Sequence, residues 1–192
     1  MNILSTERIV IREWQDSDLL PFALMNADSK VMKYFPARLT EQETRAMVER
    51  IQAHIQRHGF GLWAAELKAT KEFIGFIGLN VPSFTAHFTP CVEIGWRLAR
   101  SFWGQGLATE GGKAVLDYAF DKLHVQEIVS FTSERNKRSQ RVMQKIGLSH
   151  DKKDDFHHPN LPIEHPLSWH VLYRLLQKDW QTRQSSMTND VL

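Results

Sequence analysis

Arg100-Ser-Phe-Trp-Gly-Gln-Gly-Leu-Ala-Thr-Glu110 is the stretch on which the reading of this chain turns. Before it runs Cys91-Val-Glu-Ile-Gly-Trp-Arg-Leu98, a strand-like segment. After it, Gly111 to Leu123 is a helical pattern with Ala114, Val115, Tyr118 and Leu123 near one face. The order is therefore strand, glycine-containing turn, helix. Gly104 and Gly106 let the backbone approach a ligand with no side chain in the way. The turn opens into a helix N-terminus, whose free N–H groups and partial positive charge suit an anion.

Spacing narrows the kind of anion loop. A Walker loop needs Gly-Lys-Ser/Thr at its end, and none is present. A dinucleotide fingerprint needs three glycines at the Rossmann spacing, and Gly104-Gln-Gly106-Leu-Ala108 lacks them. The segment resembles instead the pyrophosphate loop of the GNAT superfamily of acetyl-coenzyme A-dependent N-acetyltransferases, usually Arg/Gln-x-x-Gly-x-Gly/Ala. Gly106 and Ala108 fill the last two slots, and Trp103 stands where Arg or Gln is usual. That departure is familiar in the branch that includes the ribosomal-protein N-terminal acetyltransferases, where Trp-Gly-x-Gly-x-Ala-Thr-Glu is common. A tight strand-to-helix turn with no ligand is the plainer reading of the same residues.

A second segment supports the resemblance. Asn136-Lys-Arg-Ser139-Gln-Arg-Val142-Met-Gln-Lys145-Ile-Gly147 is similar to the family's Asn-x-x-Ser-x-x-Val-x-x-Lys-x-Gly. Asn136 is a helix cap by its residue type. In the family such an Asn also hydrogen-bonds the pantetheine arm. Ser139, one turn on, could protonate the departing coenzyme A thiolate. Many relatives use a Tyr later in this helix, and Met143 fills that slot here without a proton to give.

The rest of the chain follows the family's order. Glu7 to Trp14 reads as a strand, and Asp16-Ser-Asp18 caps a helix through Leu19, Phe22 and Met25. Asp28 to Phe35 is a second short helical piece, ending before Pro36. Thr40-Glu-Gln-Glu43 is a capping box for a helix bearing Met47, Ile51 and Ile55. Phe60 to Leu67 and Glu72 to Leu79 are two strands joined by Lys68-Ala-Thr-Lys71. Gln126 to Thr132 and Ser168 to Leu176 are later strands, with the Asn136 to Ile146 helix between them. The resemblance implies an α/β (α+β) GNAT fold. Its centre would be a mixed, mostly antiparallel twisted sheet of about seven strands, with helices on both faces. Residues 1–180 are read as one domain, and 181–192, polar and unpatterned, as a frayed tail.

Composition fits. A chain of 192 residues, 42% hydrophobic and 24% charged, is long enough for one sizeable core. Net charge is +2 and no dense basic run appears, so nucleic acid is not indicated as a partner. The single cysteine, Cys91, cannot form an intrachain disulfide, which fits a reducing cytoplasm. No apolar run reaches the ~20 residues of a membrane span.

The resemblance implies acetyl transfer from acetyl-coenzyme A to a primary amine of an acceptor by direct attack. Amides from Trp103, Gly104, Gln105, Gly106, Leu107, Ala108 and Thr109 would hold the coenzyme's phosphates, with Asn136 on the pantetheine. The strand at Trp96-Arg97-Leu98 splays from its neighbour in this fold, so its N–H groups could polarise the thioester oxygen. Arg100, Lys137 and Arg138 are candidates for charge near the phosphates. A lysine amine is neutral only about once in 2,500 at pH 7, whereas a peptide α-amine loses only about tenfold. The resemblance to the ribosomal-protein branch makes a protein N-terminus the favoured acceptor, with a small-molecule amine the other. Glu93 is the candidate base, on the face opposite Val92, Ile94 and Trp96 by alternation, where a carboxylate amid apolar strands suits acid–base work. Phe131 stands where some relatives carry a second candidate Glu. Phe35, beside Tyr34 and Pro36, with Trp63 and Phe84, are candidates for the acceptor pocket.

Two other classes fit parts of the chain. One is a module that binds acyl-coenzyme A without catalysis, to which Met143 points. The other is a metalloprotein using His157, His158, His165 and His170. His157 and His158 are adjacent in a Pro-rich stretch rather than spaced as ligands on one helix face, so no metal is expected. Its Pro-rich setting reads as a long loop before the last strand, shaping acceptor choice or a homodimer contact.

Overall fold

The structure, a computed structural model, describes residues 1–189. The chain forms two compact units. The first comprises Met1–Asn80 and Ile94–Val115; the second begins with Val81–Glu93 and resumes at Leu116.

In the first unit, β1 (Asn2–Ser5) and β2 (Ile9–Arg12) pair antiparallel, β2 pairs with β3 (Leu62–Leu67), and β3 with β4 (Phe73–Asn80). All four residues of β2 are buried. Helices α1 (Leu19–Ala27) and α2 (Glu41–His58) lie between β2 and β3 in sequence. The capping box at Thr40 forms as expected. Glu43 N–H donates to Thr40 Oγ1 at 3.2 Å, and Thr40 N–H donates to Glu43 Oε2 at 2.8 Å, pairing two amides the helix start leaves free. Val48 and Ile51 of α2 are buried with Trp14, Phe22, Met25 and Phe76, while Met47 and Ile55 pack half-buried on the same cluster. Asp28 to Phe35 yields only a 3-10 turn over Val31–Tyr34.

Two elements belong to both units. Strand β5 (Val92–Leu98) pairs parallel with β6 (Glu127–Ser133) through Val92↔Ile128 and Glu93↔Val129, and its remaining residues belong to the first unit. Helix α3 (Leu107–Asp121) starts in the first unit and ends in the second.

In the second unit, helix α4 (Lys137–Lys145), two short strands β7 (Ser149–His150) and β8 (Phe156–His157), β9 (Trp169–Leu176) and α5 (Gln177–Asn189) follow β6. Strand β9 pairs antiparallel with β6 from Glu127↔Leu176 to Ser133↔His170, and also carries β7 and β8. Phe88, Val129, Phe156 and Leu172 are buried together, with Phe84 and Phe131 packed on them.

The α/β class and the mostly antiparallel, mixed strand arrangement stand as expected. Nine strands lie among the described residues rather than about seven, because β1, β7 and β8 are short pairings that carry no alternation signal of their own. Residues 181–189, expected to be an irregular tail, continue α5; Trp180 anchors that helix, its ring stacked on Phe120 at 5.8 Å. Residues 190–192 lie outside the described residues. Among the described residues, no helix is long and apolar enough to cross a membrane.

Candidate active site

The turn between β5 and α3 has the geometry of an open cradle. Gly104 and Gly106 adopt φ of +76° and +80°, a region that side chains disfavour. A Cβ on Gly104 would meet nothing within 4 Å, so the backbone there is bare on its open side. The helical ladder begins with Glu110 N–H donating to Gly106 O at 2.9 Å. The amides of Leu107, Ala108 and Thr109 precede it and take no acceptor within the helix. Leu107 is itself a core residue at its side chain, so only its amide serves the turn.

Contacts from elsewhere in the first unit hold the cradle. Glu110 receives Thr6 Oγ1 at 2.5 Å, Arg8 N–H at 2.8 Å and Arg8 Nε at 2.6 Å. Arg8 Nη1 donates to Gln105 O at 2.9 Å, and Gln105 Nε2 donates to Ser101 O at 2.9 Å. Partial burial alone would raise the Glu110 carboxyl; the hydrogen bonds from Thr6 and Arg8 outweigh it and hold the pKa below its ordinary value. Trp103 turns inward. Its Nε1 donates to Leu98 O at 2.8 Å and its ring packs half-buried against the core, joining the loop to the end of β5. Arg8 and Thr6 carry no local signal in the sequence, since their partner lies about a hundred positions away.

On β5, Trp96 is half-buried and Leu98 is buried. Arg97 is also buried, and its Nη1 donates to Asn26 Oδ1 at 2.7 Å. Its guanidinium carbon lies 4.0 Å from the centre of the Phe35 ring, so Phe35, expected at an acceptor pocket, covers a buried cation. Trp63 is 1% exposed and belongs to the core of this unit.

The second unit contains the other candidates. Asn136 caps α4, with Ser139 N–H donating to its Oδ1 at 3.3 Å. Its Nδ2 donates to Thr132 Oγ1 and to Ser139 Oγ, each at 3.0 Å. Both amide protons are thus spent, leaving a lone pair on Oδ1 to accept from a ligand. Ser139 Oγ accepts one bond and keeps its own proton to give. Met143 is 1% exposed, a core residue. Glu93 sits half-buried on β5 opposite Val129, two residues from Cys91. Burial, with the Glu93 and Glu127 charges, pushes the Cys91 thiol up to about 11.

Phe84 joins an aromatic cluster with Phe88, Phe131 and Phe156, and its ring lies 4.8 Å from that of His158. The histidines nearby have local partners. His157 Nδ1 meets Ser168 Oγ at 3.1 Å, His165 Nδ1 accepts from Leu167 N–H at 3.1 Å, and His170 Nδ1 donates to Ser168 O at 3.0 Å. Among the described residues, no group of three or more His, Cys, Asp or Glu converges as a metal site would need.

Residues 8–149 match the family model of the acetyltransferase (GNAT) domain. YkkB of Bacillus subtilis, which has no characterised function, is 37% identical over 78% of this chain and 86% of its own. The FsC-acetyl coenzyme A-N(2)-transacetylase of Aspergillus fumigatus is 33% identical over 68% of this chain and 56% of its own. A crystal structure of a GNAT-family acetyltransferase from Bacillus anthracis superimposes with a TM-score of 0.75 at 27% identity, covering 93% of this chain and 99% of that one.

Proposed function

Because the chain belongs to the GNAT acetyltransferase family and is an acetyl-coenzyme A-dependent N-acetyltransferase, we propose a division of labour among its residues and a favoured acceptor. We read 1–180 as one catalytic domain, since the family match over residues 8–149 takes in residues of both units. The amides of residues 104–109 take the coenzyme's pyrophosphate, and the backbone of Trp96, Arg97 and Leu98 takes the pantetheine and the thioester oxygen. The observation that carries this reading is the open turn at Gly104 and Gly106, pinned from Arg8 and running into unpaired helix amides.

The neutral amine attacks the thioester carbonyl carbon. The C–N bond forms, the C–S bond breaks, and the electron pair leaves with sulfur. Glu93 takes or orients the proton lost by the amine. Ser139 gives its proton to the thiolate and is reprotonated from water. The bond from Asn136 Nδ2 to Ser139 Oγ supports that role, since it orients the hydroxyl and leaves the proton free. The acceptor is a primary amine with a favoured α-amino group, because an α-amine needs the weaker base. Phe35 borders the acceptor.

The test is release of coenzyme A thiol from acetyl-coenzyme A with a panel of peptide α-amines, lysine side chains and small amines. Turnover faster with α-amines supports the reading; equal or faster turnover with lysine side chains removes the acceptor preference.

A further inference from the structure

Among the described residues of the first unit, Arg12 and Arg97 are both buried, at 5% and 8% exposure, but they keep different company. Arg12 donates to both oxygens of Asp18 at 2.7 and 2.8 Å and to Glu66 at 2.8 Å. Its charge is fully compensated, as a structural buried arginine requires. Arg97 forms no ion pair among the described residues. Its Nη1 donates to Asn26 Oδ1, and its Nε is buried with no acceptor. Asn26 is fixed in that orientation, because its Nδ2 donates to Thr44 Oγ1 at 3.2 Å. Desolvation lowers the Arg97 pKa to about 10, so the group remains a cation at neutral pH. A buried charge without a counter-ion is strongly disfavoured, and an orphaned buried donor is uncommon. A site that binds an anion accounts for both.

We propose that the Arg97 guanidinium, covered by Phe35 and steered by Asn26, is a receptor for a carboxylate on the acceptor, so that the amine this chain acetylates also carries a carboxylate. The inference rests on the acetyltransferase reading and narrows its substrate class. Asn26 occupies Nη1 and leaves the edge formed by Nε and Nη2, the fork to which a carboxylate docks with two parallel bonds. Phe35 over the guanidinium, with Phe76 at 5.5 Å, makes a flat surround that suits planar carboxylate better than tetrahedral phosphate. Phe35 is 37% exposed and lies between the Val31–Tyr34 turn and Pro36, so rotation of one side chain opens the receptor.

Two sources share this chemistry: the α-carboxylate of a free amino acid, and an Asp or Glu side chain beside a peptide α-amine. The experiment measures kcat/KM with acetyl-coenzyme A for two series. Free amino acids are paired with their carboxamides. Amidated peptides with Asp or Glu at the second or third position are paired with their Asn or Gln counterparts. The wild type is expected to favour the carboxylate member by about tenfold or more in one series, carried by KM, as a charge-assisted pair of hydrogen bonds predicts. The series that responds names the source. In Arg97→Gln the ratio is expected to fall to near one. Asn26→Asp supplies an internal carboxylate to Nη1, so it is expected to raise the melting temperature while abolishing the preference. A wild-type ratio near one in both series overturns the proposal, whether or not Arg97→Gln folds. So does a preference that survives both substitutions. If no amine is turned over, the transfer reading fails by itself. Calorimetric titration with the same carboxylates then decides: saturable binding lost in Asn26→Asp upholds the receptor, and no heat in the wild type removes it.

Discussion

Arg8 and Glu110, 102 positions apart in the chain, meet at 2.6 Å beneath the turn that precedes α3. The same guanidinium holds Gln105 O, so one side chain ties the helix start and the turn together. Arg8→Ala removes both bonds and leaves Glu110 with Thr6 and the Arg8 amide. The pair is partly exposed, so the cost to stability is modest, on the order of 1 kcal/mol or less. The larger expected effect is on the coenzyme: acetyl-coenzyme A Kd rises about three- to tenfold, about 1 kcal/mol of lost positioning. Calorimetric titration of the variant checks it, and an unchanged Kd shows that the turn holds its shape without Arg8.

Ser139→Ala is expected to lower kcat at least tenfold, with acetyl-coenzyme A Kd unchanged within about twofold, as loss of a proton donor acting in the transition state requires. Asn136→Ala also removes the helix cap, so it should lower both kcat and thermal stability, the latter by about 1 kcal/mol. Steady-state kinetics beside thermal melts separate the two, and full activity in Ser139→Ala removes its role as acid.

The pH dependence of stability follows from His170. Burial lowers its pKa to about 4, against an ordinary value near 6.5. Between these values the unfolded chain binds a proton that the folded chain refuses. Stability contributed by this group is therefore complete above about pH 6.5 and falls as pH drops toward 4, by about 2 kcal/mol at pH 5. Glu110, held below its ordinary value, adds to the loss at still lower pH, because its hydrogen bonds fail as it protonates. Thermal melts at pH 7 and pH 5 should show a lower midpoint at pH 5, and His170→Gln should flatten that difference.

Cys91 is expected to be inert in the folded protein. A thiol with its pKa raised to about 11 is almost wholly protonated at pH 7.5, and the thiolate is the reacting species. Native protein should take up iodoacetamide far more slowly than denatured protein, and labelling at equal rates would contradict the burial of this strand. The same inertness keeps the thiol background low in assays of coenzyme A release.

Legibility varied with the range of the interaction that fixes each part. The capping box at Thr40, the Asn136 cap and the glycine turn are local, and each forms where its residue types put it. The short helical piece before Pro36 was legible and forms as the Val31–Tyr34 turn, whereas the continuation of α5 through 189 was not, because that stretch lacks an apolar stripe beyond Trp180. In the candidate site, the positive-φ glycine turn and the Asn136 cap were legible as local structure. Its supports were not: Arg8 on Glu110, Thr132 on Asn136 and Asn26 on Arg97 join positions whose proximity only the fold creates. Trp63 shows the converse, since an aromatic on a strand reads alike for pocket and core, and here it is core.

The most direct test of the central claim is calorimetric titration of metal-free wild-type protein with acetyl-coenzyme A, beside a variant carrying Gly104→Val and Gly106→Val. Both positions have positive φ and room for a side chain, so the substitutions act through backbone strain and the covering of bare amides. The expected result is saturable binding of acetyl-coenzyme A by the wild type, with Kd on the order of micromolar, about −8 kcal/mol, and none by the variant. Absence of binding by the wild type, or equal affinity in the two proteins, would contradict the assignment of the 104–109 turn to the coenzyme.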